Sequence, residues 1–380
     1  MKSTFLKDMA FRKARIAMTA IAITVLIALI LMLGGIMNGM RIQAQQYVKS
    51  TGADIWISAE GSGGAFVGFS MINPEYLAYL NNAQDLKPKS TSQLVFAQAR
   101  PVIRGKTGKA IVVGYQNGKL GGPVRLVEGR LFTPSQYEDY RPEDIPSPEV
   151  VIDEKMDLEI GERLSIGGSK LKVVGKAKSL MFVLDTPLLF MDIRTAQNVM
   201  LDNILYVNMI LSKAADGRPS DEVVEALNRS DAESKMIEVY TLKQTIGDIL
   251  ETYVDEPMKA VQFLRAMLWL ATGIIVAMIT YVTTLEKTQE FGTLKAIGAS
   301  NSYVISLILK QVALTTIIGI IFGLVLSFIF AAAAPIFVAI HLVEAVIVAI
   351  ISFIVCCSGG YLAGRKAISI DPMVAFRGEI

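Results

Sequence analysis

The chain has 380 residues, of which 52% are hydrophobic and 19% are charged, and its mean hydropathy is +0.45. This composition excludes an ordinary soluble protein and is typical of a membrane protein with a sizeable water-exposed part. The formal net charge of +2 gives no reason to expect nucleic acid as a partner. The two cysteines are adjacent in an apolar run, which predicts buried thiols rather than a disulfide.

The start of the chain predicts a membrane-crossing helix. Residues 1–15 are basic, and residues 16–40 carry no charge and are long enough to span a bilayer. A secretory signal peptide is the alternative, but the apolar run is too long for one and no convincing cleavage site follows it. We therefore expect a cytoplasmic N-terminus at 1–15 and an uncleaved transmembrane helix at 16–40.

Residues 41–262 are polar and contain many short strand patterns separated by turn residues. They predict an extracytoplasmic α+β domain, inserted between the first and second transmembrane helices, with helical ends that run into both of them. Strands are expected at 54–58, 93–99, 110–115, 124–129, 164–168, 171–177, 188–193 and 205–211, and helices at 74–81, 192–201 and 221–228.

A glycine-rich stretch at 61–71 lies within this domain and lacks the spacing of a dinucleotide-binding loop. One interpretation is a mobile loop without a further role. The other is an exposed apolar tip, made by Phe66, Val67, Phe69 and Met71, that contacts lipid, substrate or a partner.

Further uncharged runs complete a fold of four transmembrane α-helices per subunit plus the α+β domain. Ser302–Leu309 is assigned to the membrane interface because Lys310, which follows it, would cost about 2.5–3.5 kcal/mol at the centre of a span. The expected order is 263–285 for the second span, 286–311 for a cytoplasmic coupling and interfacial segment, 312–334 for the third span, 335–344 for an external turn, 345–364 for the fourth span and 365–380 for a cytoplasmic tail.

The segment 286–298 has the pattern of a short amphipathic helix between two spans. Phe291, Leu294 and Ile297 recur at helical spacing and form an apolar face opposite a charged one. Such a helix can lie flat on the membrane or be held by a soluble partner, and we favour the partner.

Glycines spaced four residues apart recur in three of the apolar runs and allow helices to approach closely. One interpretation is a face for dimerisation, and the other is packing within one subunit. The pairs are Gly35 and Gly39, Gly319 and Gly323, and Gly360 and Gly364.

The sequence shows no catalytic or metal site. No G-x-x-x-x-G-K-S/T P-loop occurs, and one His with two buried Cys does not make a zinc cluster. A Ser-His-acid site would have to use His341, which lies in an apolar turn. Because the spans hold no Asp or Glu well inside, no proton relay is expected, and energy for any work must come from another chain.

Two segments of the chain carry motifs. The segment EKTQEFGTLKAIGAS (286–300) holds Glu286, Glu290, Gly292, Ala296, Gly298 and Ala299, and the segment AISIDPMVAFRGE (367–379) holds Ala367, Pro372, Ala375, Arg377 and Glu379. At these residues, and in the order of its spans, the chain resembles the permeases of the MacB, FtsX and LolC/LolE group, the mechanotransmission (type VII) class of ABC transporter. Phe291 in place of a small aliphatic residue and Lys287 in place of an arginine depart from the family pattern.

The resemblance implies a non-catalytic permease subunit in the cytoplasmic (inner) membrane, driven by a separate ATPase subunit that binds the ATP and Mg. It implies a homo- or heterodimer of permeases in contact with membrane lipid, and the DevC-like size allows a membrane-fusion or periplasmic partner. Residues 37–50 and 241–262 would transmit motion from the membrane to the α+β domain. The residues expected to couple to the ATPase are Glu286, Glu290, Phe291, Gly292, Leu294, Lys295, Ile297 and Gly298, with Phe291, Leu294 and Ile297 seated in an ATPase groove.

Three functions fit these observations. The first is export or extraction of a lipid, lipoprotein, peptide or amphiphilic drug. The second is an FtsX-like signalling subunit that activates an extracytoplasmic cell-wall hydrolase without transport. The third is a membrane protein without an ATPase, such as a receptor or a membrane enzyme. The large domain favours the first function, because the domain of FtsX is smaller.

Overall fold

The computed structural model describes residues 13–134, 148–230 and 236–368 of the chain. They form two compact units. We call the described residues of 1–39 and 258–380 the helical unit, and those of 40–257 the sheet unit.

Along the chain, long helices come before the first strand and after the last one. The α-helices are α1 (Lys13–Ser50), α2 (Tyr76–Asn81), α3 (Ile193–Met200), α4 (Ser220–Ser230), α5 (Leu242–Leu250), α6 (Glu256–Glu286), α7 (Thr288–Ala296), α8 (Asn301–Ala333) and α9 (Leu342–Ile368). The strands are β1 (Ile55–Ala59), β2 (Ser92–Ala99), β3 (Val102–Ile103), β4 (Lys106–Thr107), β5 (Ala110–Tyr115), β6 (Leu126–Gly129), β7 (Glu149–Asp153), β8 (Arg163–Ile166), β9 (Ser169–Ala177), β10 (Met181–Phe182), β11 (Thr186–Asp192), β12 (Met209–Ser212) and β13 (Ile237–Thr241). A π-helical turn, Glu251–Asp255, joins α5 to α6.

Four helices of the described chain are long and apolar enough to cross a membrane, which confirms the predicted number. They include α1, α6, α8 and α9. The shortest, α9, has 27 residues, and a rise of about 1.5 Å per residue makes it longer than the roughly 30 Å apolar layer of a bilayer.

The third membrane helix is longer than the uncharged run at 312–334, and the interfacial position of its first turns stays a prediction. Ser302–Leu309, assigned above to the interface, and the run from Val312 belong to one continuous helix, α8. The Ser300 hydroxyl caps this helix by accepting a hydrogen bond from the Tyr303 backbone N–H at 3.2 Å. Lys310 does not interrupt α8, and its side chain is exposed on the helix surface.

The glycine pairs are used for packing inside the helical unit. A Cβ at Gly319 or Gly323 of α8 would lie 2.5 and 3.0 Å from the side chains of Ile23 and Ile27 of α1. The pairs at 360/364 and 35/39 likewise meet residues of the same unit, in α8 and in the segment 337–340. Of the two interpretations offered above, the structure therefore supports packing within the subunit.

The thirteen described strands form one mixed sheet. Along the sheet the order is β13-β1-β12-β2-β5-β11-β7-β9-β8-β3-β4, with β10 beside β11 and β6 beside β9. The pairs β5–β11 and β7–β9 are parallel and the others are antiparallel. This is the α+β domain that the strand patterns predicted.

Both faces of the central strands are covered, which explains why they are buried almost throughout. Alternation sends Ile57, Val95 and Leu189 into an aliphatic core on one face. Their neighbours Phe96 and Phe190 join an aromatic layer on the other face.

Five strands of the sheet were missed in the sequence analysis: the two-residue strands β3, β4 and β10, and the longer strands β7 and β13. β7 begins one residue after Pro148 and has no polar alternation, because both of its faces are buried. β13 ends at the capping box of α5, in which Thr241 and Gln244 exchange hydrogen bonds. The polar residues of β13 were therefore hard to distinguish from a loop that leads into this helix.

Candidate coupling site

The segment between α6 and α8 folds as a short helix with sharply defined ends. α7 closes with a Schellman motif, in which the backbone N–H groups of Gly298 and Ala299 donate to the carbonyls of Lys295 and Leu294, each at 3.0 Å. Gly298 has a φ of +98°, which a residue with a Cβ rarely adopts. The next helix is capped at Ser300, so the letters I-G-A-S encode a helix stop followed at once by a helix start.

The two ends of the predicted apolar face differ in exposure. Phe291 is only 7% exposed and belongs to the apolar core of the helical unit, with Leu294 packed against that core. Ile297 is 78% exposed. The expectation that Phe291 enters a groove of a partner is therefore wrong, because Phe291 fills a site within its own helical unit.

The exposed face of the segment is polar with one large apolar side chain. Gln289, Glu290, Thr293 and Ile297 are all exposed, and their spacing places them on one side of α7. Glu286, the last residue of α6, is exposed as well. A soluble protein that binds this segment can therefore contact these side chains without unpacking the helix.

Two lysines tie the segment to the helical unit. The Lys295 ammonium donates to the Ile368 carbonyl at the end of α9, at 3.3 Å. Lys287, in the turn between α6 and α7, is 7% exposed and lines a cavity together with Phe291. A displacement of α7 would therefore be transmitted to α6, α8 and α9.

A partly buried polar cluster that the sequence analysis did not identify joins three helices. Glu344 of α9 accepts hydrogen bonds from Arg265 of α6, at 2.7 Å, and from Asn38 of α1. Gly34 makes room for it, since a Cβ there would lie 1.8 Å from the Glu344 carboxylate. The sequence indicates this cluster only weakly. Arg265 and Glu344 each stand at the edge of an apolar run, where a charged side chain is expected to contact water.

The glycine-rich stretch 61–71 differs from both interpretations given above. Phe66 is 5% exposed and packs on Phe96, with ring centroids 4.7 Å apart, inside the aromatic layer of the sheet unit. The Tyr253 hydroxyl donates to the Phe66 carbonyl at 2.8 Å and anchors the loop. Phe69 is 80% exposed, so an exposed apolar tip is wrong for Phe66 and holds for Phe69 alone among the aromatic residues of the stretch. Val67 and Met71 are half-buried.

The sheet unit contains one carboxylate with a strongly shifted pKa. Arg130 donates two hydrogen bonds to Glu149, one of them of 2.8 Å, and the Thr133 backbone N–H donates a third, also of 2.8 Å. These bonds favour the charged carboxylate and lower the pKa of Glu149 to about 2. The cluster is structural and lies apart from the coupling segment in sequence.

The predicted C-terminal motif, with Pro372 and Arg377, lies outside the described residues. Among the residues that the structure does describe, no group of three or more His, Cys, Asp or Glu side chains could hold a metal ion. The coupling segment is therefore the sequence-predicted site whose geometry can be described.

Family comparisons match both parts of the chain. The MacB-like periplasmic core domain matches residues 16–230, more than half of the chain, and the FtsX-like permease C-terminal domain matches residues 263–372. The chain belongs to the MacB and FtsX type of ABC transporter permeases. The resemblance inferred from the loop at 286–300 is confirmed, and the permease is a multi-pass membrane protein with an extracellular domain.

Full-length relatives agree with this assignment. The permease is 24% identical over 379 residues to an uncharacterized ABC transporter permease of Mycobacterium bovis, with 98% of each chain covered. It is also 24% identical over 385 residues to the putative hemin transport system permease protein HrtB of Staphylococcus epidermidis, again with 98% of each chain covered.

Solved structures of isolated domains also match. The periplasmic region of MacB from Actinobacillus actinomycetemcomitans matches with a TM-score of 0.37 and 15% identity, covering 53% of the permease and 95% of that chain. The extracellular domain of YknZ from Gram-positive bacteria matches with a TM-score of 0.35 and 11% identity, covering 50% of the permease and all of that chain.

Proposed function

We propose that this permease is driven by a separate ATPase subunit that docks on the exposed face of α7. The ATPase would bind the ATP and Mg, and its movements would reach the membrane helices through the packed side of the same segment. The observation that carries this proposal is the division of α7 into a buried side, with Phe291 and Leu294, and an exposed side that ends in Ile297. In this arrangement the permease lies in the inner membrane with both termini in the cytoplasm, and it works as a homo- or heterodimer.

The proposed substrate is an amphiphile that is exported or extracted at the extracellular side. It is a lipid, a lipoprotein, a peptide or an amphiphilic drug. The name of the HrtB relatives makes hemin, an amphiphile with an apolar ring and two carboxylates, the first compound to test. A membrane-fusion or periplasmic partner would receive the substrate where the cell envelope requires it.

The docking test uses the permease expressed together with the ATPase encoded beside it. We expect Ile297→Asp to abolish co-purification of the ATPase and to leave the melting temperature of the permease unchanged, because Ile297 makes few contacts within the permease. Phe69→Asp, an equally exposed change in the sheet unit, is the matched control and should retain the ATPase. Normal binding by Ile297→Asp would remove the coupling assignment.

The same purified complex distinguishes transport from signalling. ATP hydrolysis that rises with hemin or a lipopeptide, and not with a cell-wall hydrolase, supports export or extraction. Stimulation by the hydrolase alone would replace this proposal with the FtsX-like signalling function.

A further inference from the structure

A cavity lies inside the helical unit, directly behind the coupling segment. It is lined by residues of α1, α6, α7 and α8 and of the turn between α6 and α7, is partly open to its surroundings, and has a volume of about 50 Å³. Because one water requires roughly 10–15 Å³ of such enclosed space, the inner part has room for about four waters or for one small polar group.

The lining of this cavity is amphipathic. One part is apolar, with Ile23, Val276 and Ile308 among its side chains. The other part is made by the polar residues Lys287 and Gln311 and by several threonines. A molecule that fits this lining has a polar head and an apolar body.

The polar part favours an anion. Lys287 is buried, and a buried ammonium group in an apolar helical unit is costly unless negative charge or hydrogen-bond acceptors surround it. Lys287 already takes part in other interactions, but its three N–H donors allow an additional acceptor beside them. Gln311 can supply two further N–H donors.

The neighbouring hydroxyls complete a binding surface for oxygen atoms. Thr284 and Thr315 are buried, and their hydroxyls donate to carbonyls of their own helices at 2.7 and 2.9 Å. Each hydroxyl can rotate about its Cβ–Oγ bond and donate to a ligand instead, and the carbonyl that it leaves still accepts the backbone N–H of its own helix. Together with Lys287 and Gln311 they resemble the mixed ammonium, amide and hydroxyl donors that bind phosphate.

We propose that this cavity binds the phosphate group of an anionic phospholipid from the membrane leaflet next to the coupling segment. The phosphate occupies the enclosed polar part, and the glyceride and acyl chains leave through the open mouth along the apolar lining. Because Phe291 of α7 lines the same cavity, the bound lipid supports the buried side of the coupling segment. Only this last consequence rests on the proposed function, since lipid binding itself needs no ATPase.

The test compares the full-length permease in nanodiscs of pure phosphatidylcholine and in nanodiscs that contain phosphatidylglycerol. Phosphatidylglycerol should raise the melting temperature by ~3 °C or more, because a ligand that binds the folded state stabilises it. The gain should disappear in Lys287→Met and persist in Lys310→Gln, which removes an exposed lysine from the same region. An equal gain in Lys287→Met, or no gain in the unchanged protein, would overturn the site.

A second arm identifies the source of the phosphate. Millimolar inorganic phosphate added to phosphatidylcholine nanodiscs should leave the melting temperature unchanged, and a gain equal to that of phosphatidylglycerol would assign the site to a soluble anion instead. If Lys287→Met does not fold, Thr284→Val provides the test, since it removes one buried hydroxyl and keeps the shape of the side chain. We expect it to reduce the phosphatidylglycerol gain, and an unchanged gain would contradict the proposal.

Discussion

Phe291 lies in the short helix α7 and Ile297 is the residue that caps its C-terminus, and their chemistry alone gives them the same role. Helical spacing predicts one apolar face for both, but it does not state what covers each part of that face. The tertiary structure does so, because Phe291 lies in the core of the helical unit while Ile297 is exposed on the opposite, polar side. The residues of this segment could therefore be located from the sequence, while their division into buried and exposed ones could not.

Glu149 gives the sheet unit a stabilising contribution that depends on pH. Its pKa in the folded protein, about 2, lies below the ordinary value of roughly 4.3, so the contribution is present above pH 4.3 and is lost as the pH falls toward 2. We expect Glu149→Gln to lower the melting temperature at pH 7. Between pH 5 and pH 3 the melting temperature of this variant should fall less than that of the unchanged protein. Thermal unfolding of the full-length protein at both pH values measures this.

The control for this prediction is Glu222→Gln, which changes an exposed carboxylate on α4. It should reproduce the pH dependence of the unchanged protein. If the melting temperature of Glu149→Gln fell with pH as steeply as that of the unchanged protein, the pair of Arg130 and Glu149 would not stabilise the folded state.

At the scale of elements, composition predicted the helices well and their ends less well. Uncharged runs identified four spans because a bilayer requires long apolar segments. The sequence analysis divided α8 at Lys310 because a lysine is costly at the centre of a span, whereas the helix itself continues through this residue. The strand β7 was missed for the opposite reason, since a strand buried on both faces has no alternation to detect.

The polar cluster of Arg265, Glu344 and Asn38 predicts coupled stability between helices α6 and α9. Glu344→Gln and Arg265→Gln should each destabilise the protein, because each leaves one largely desolvated charge without its partner. The double variant should be less destabilised than the sum of the two, with a coupling energy of about 0.5–3 kcal/mol. Melting temperatures and denaturant titrations in one detergent provide the comparison.

Additive effects of the two changes would show that the ion pair does not hold these helices together. Gln262→Ala, an exposed change near Arg265 in α6, is a suitable control and should combine additively with Glu344→Gln.

At the scale of the whole molecule, the orientation in the membrane is a prediction from the distribution of basic residues. In a chain with Cys356 and Cys357 replaced by Ala, we expect Lys170→Cys in the sheet unit to react with an impermeant thiol reagent on intact cells. Ile297→Cys should react only after the membrane is permeabilised. Both positions are exposed in the structure, so a difference in labelling reports sidedness rather than burial.

The reverse labelling pattern would invert the topology and remove the basis for a cytoplasmic ATPase at α7. The order of elements needed no structure to predict, because span lengths and charge are local properties of the sequence. The partly buried cluster at Glu344 and the cavity behind Phe291 did need it, because both are assembled from helices that are distant along the chain.

The commitment of the paired glycines to internal packing limits how this permease can associate with other membrane proteins. The surface that its helices leave exposed is made of bulky side chains, among them Phe322, Phe328 and Ile354. Such a surface gains little by exchanging acyl chains for another protein, since lipid tails are equally apolar. A stable complex of this permease with another membrane protein therefore needs its strongest contacts in the water-exposed parts on either side of the bilayer.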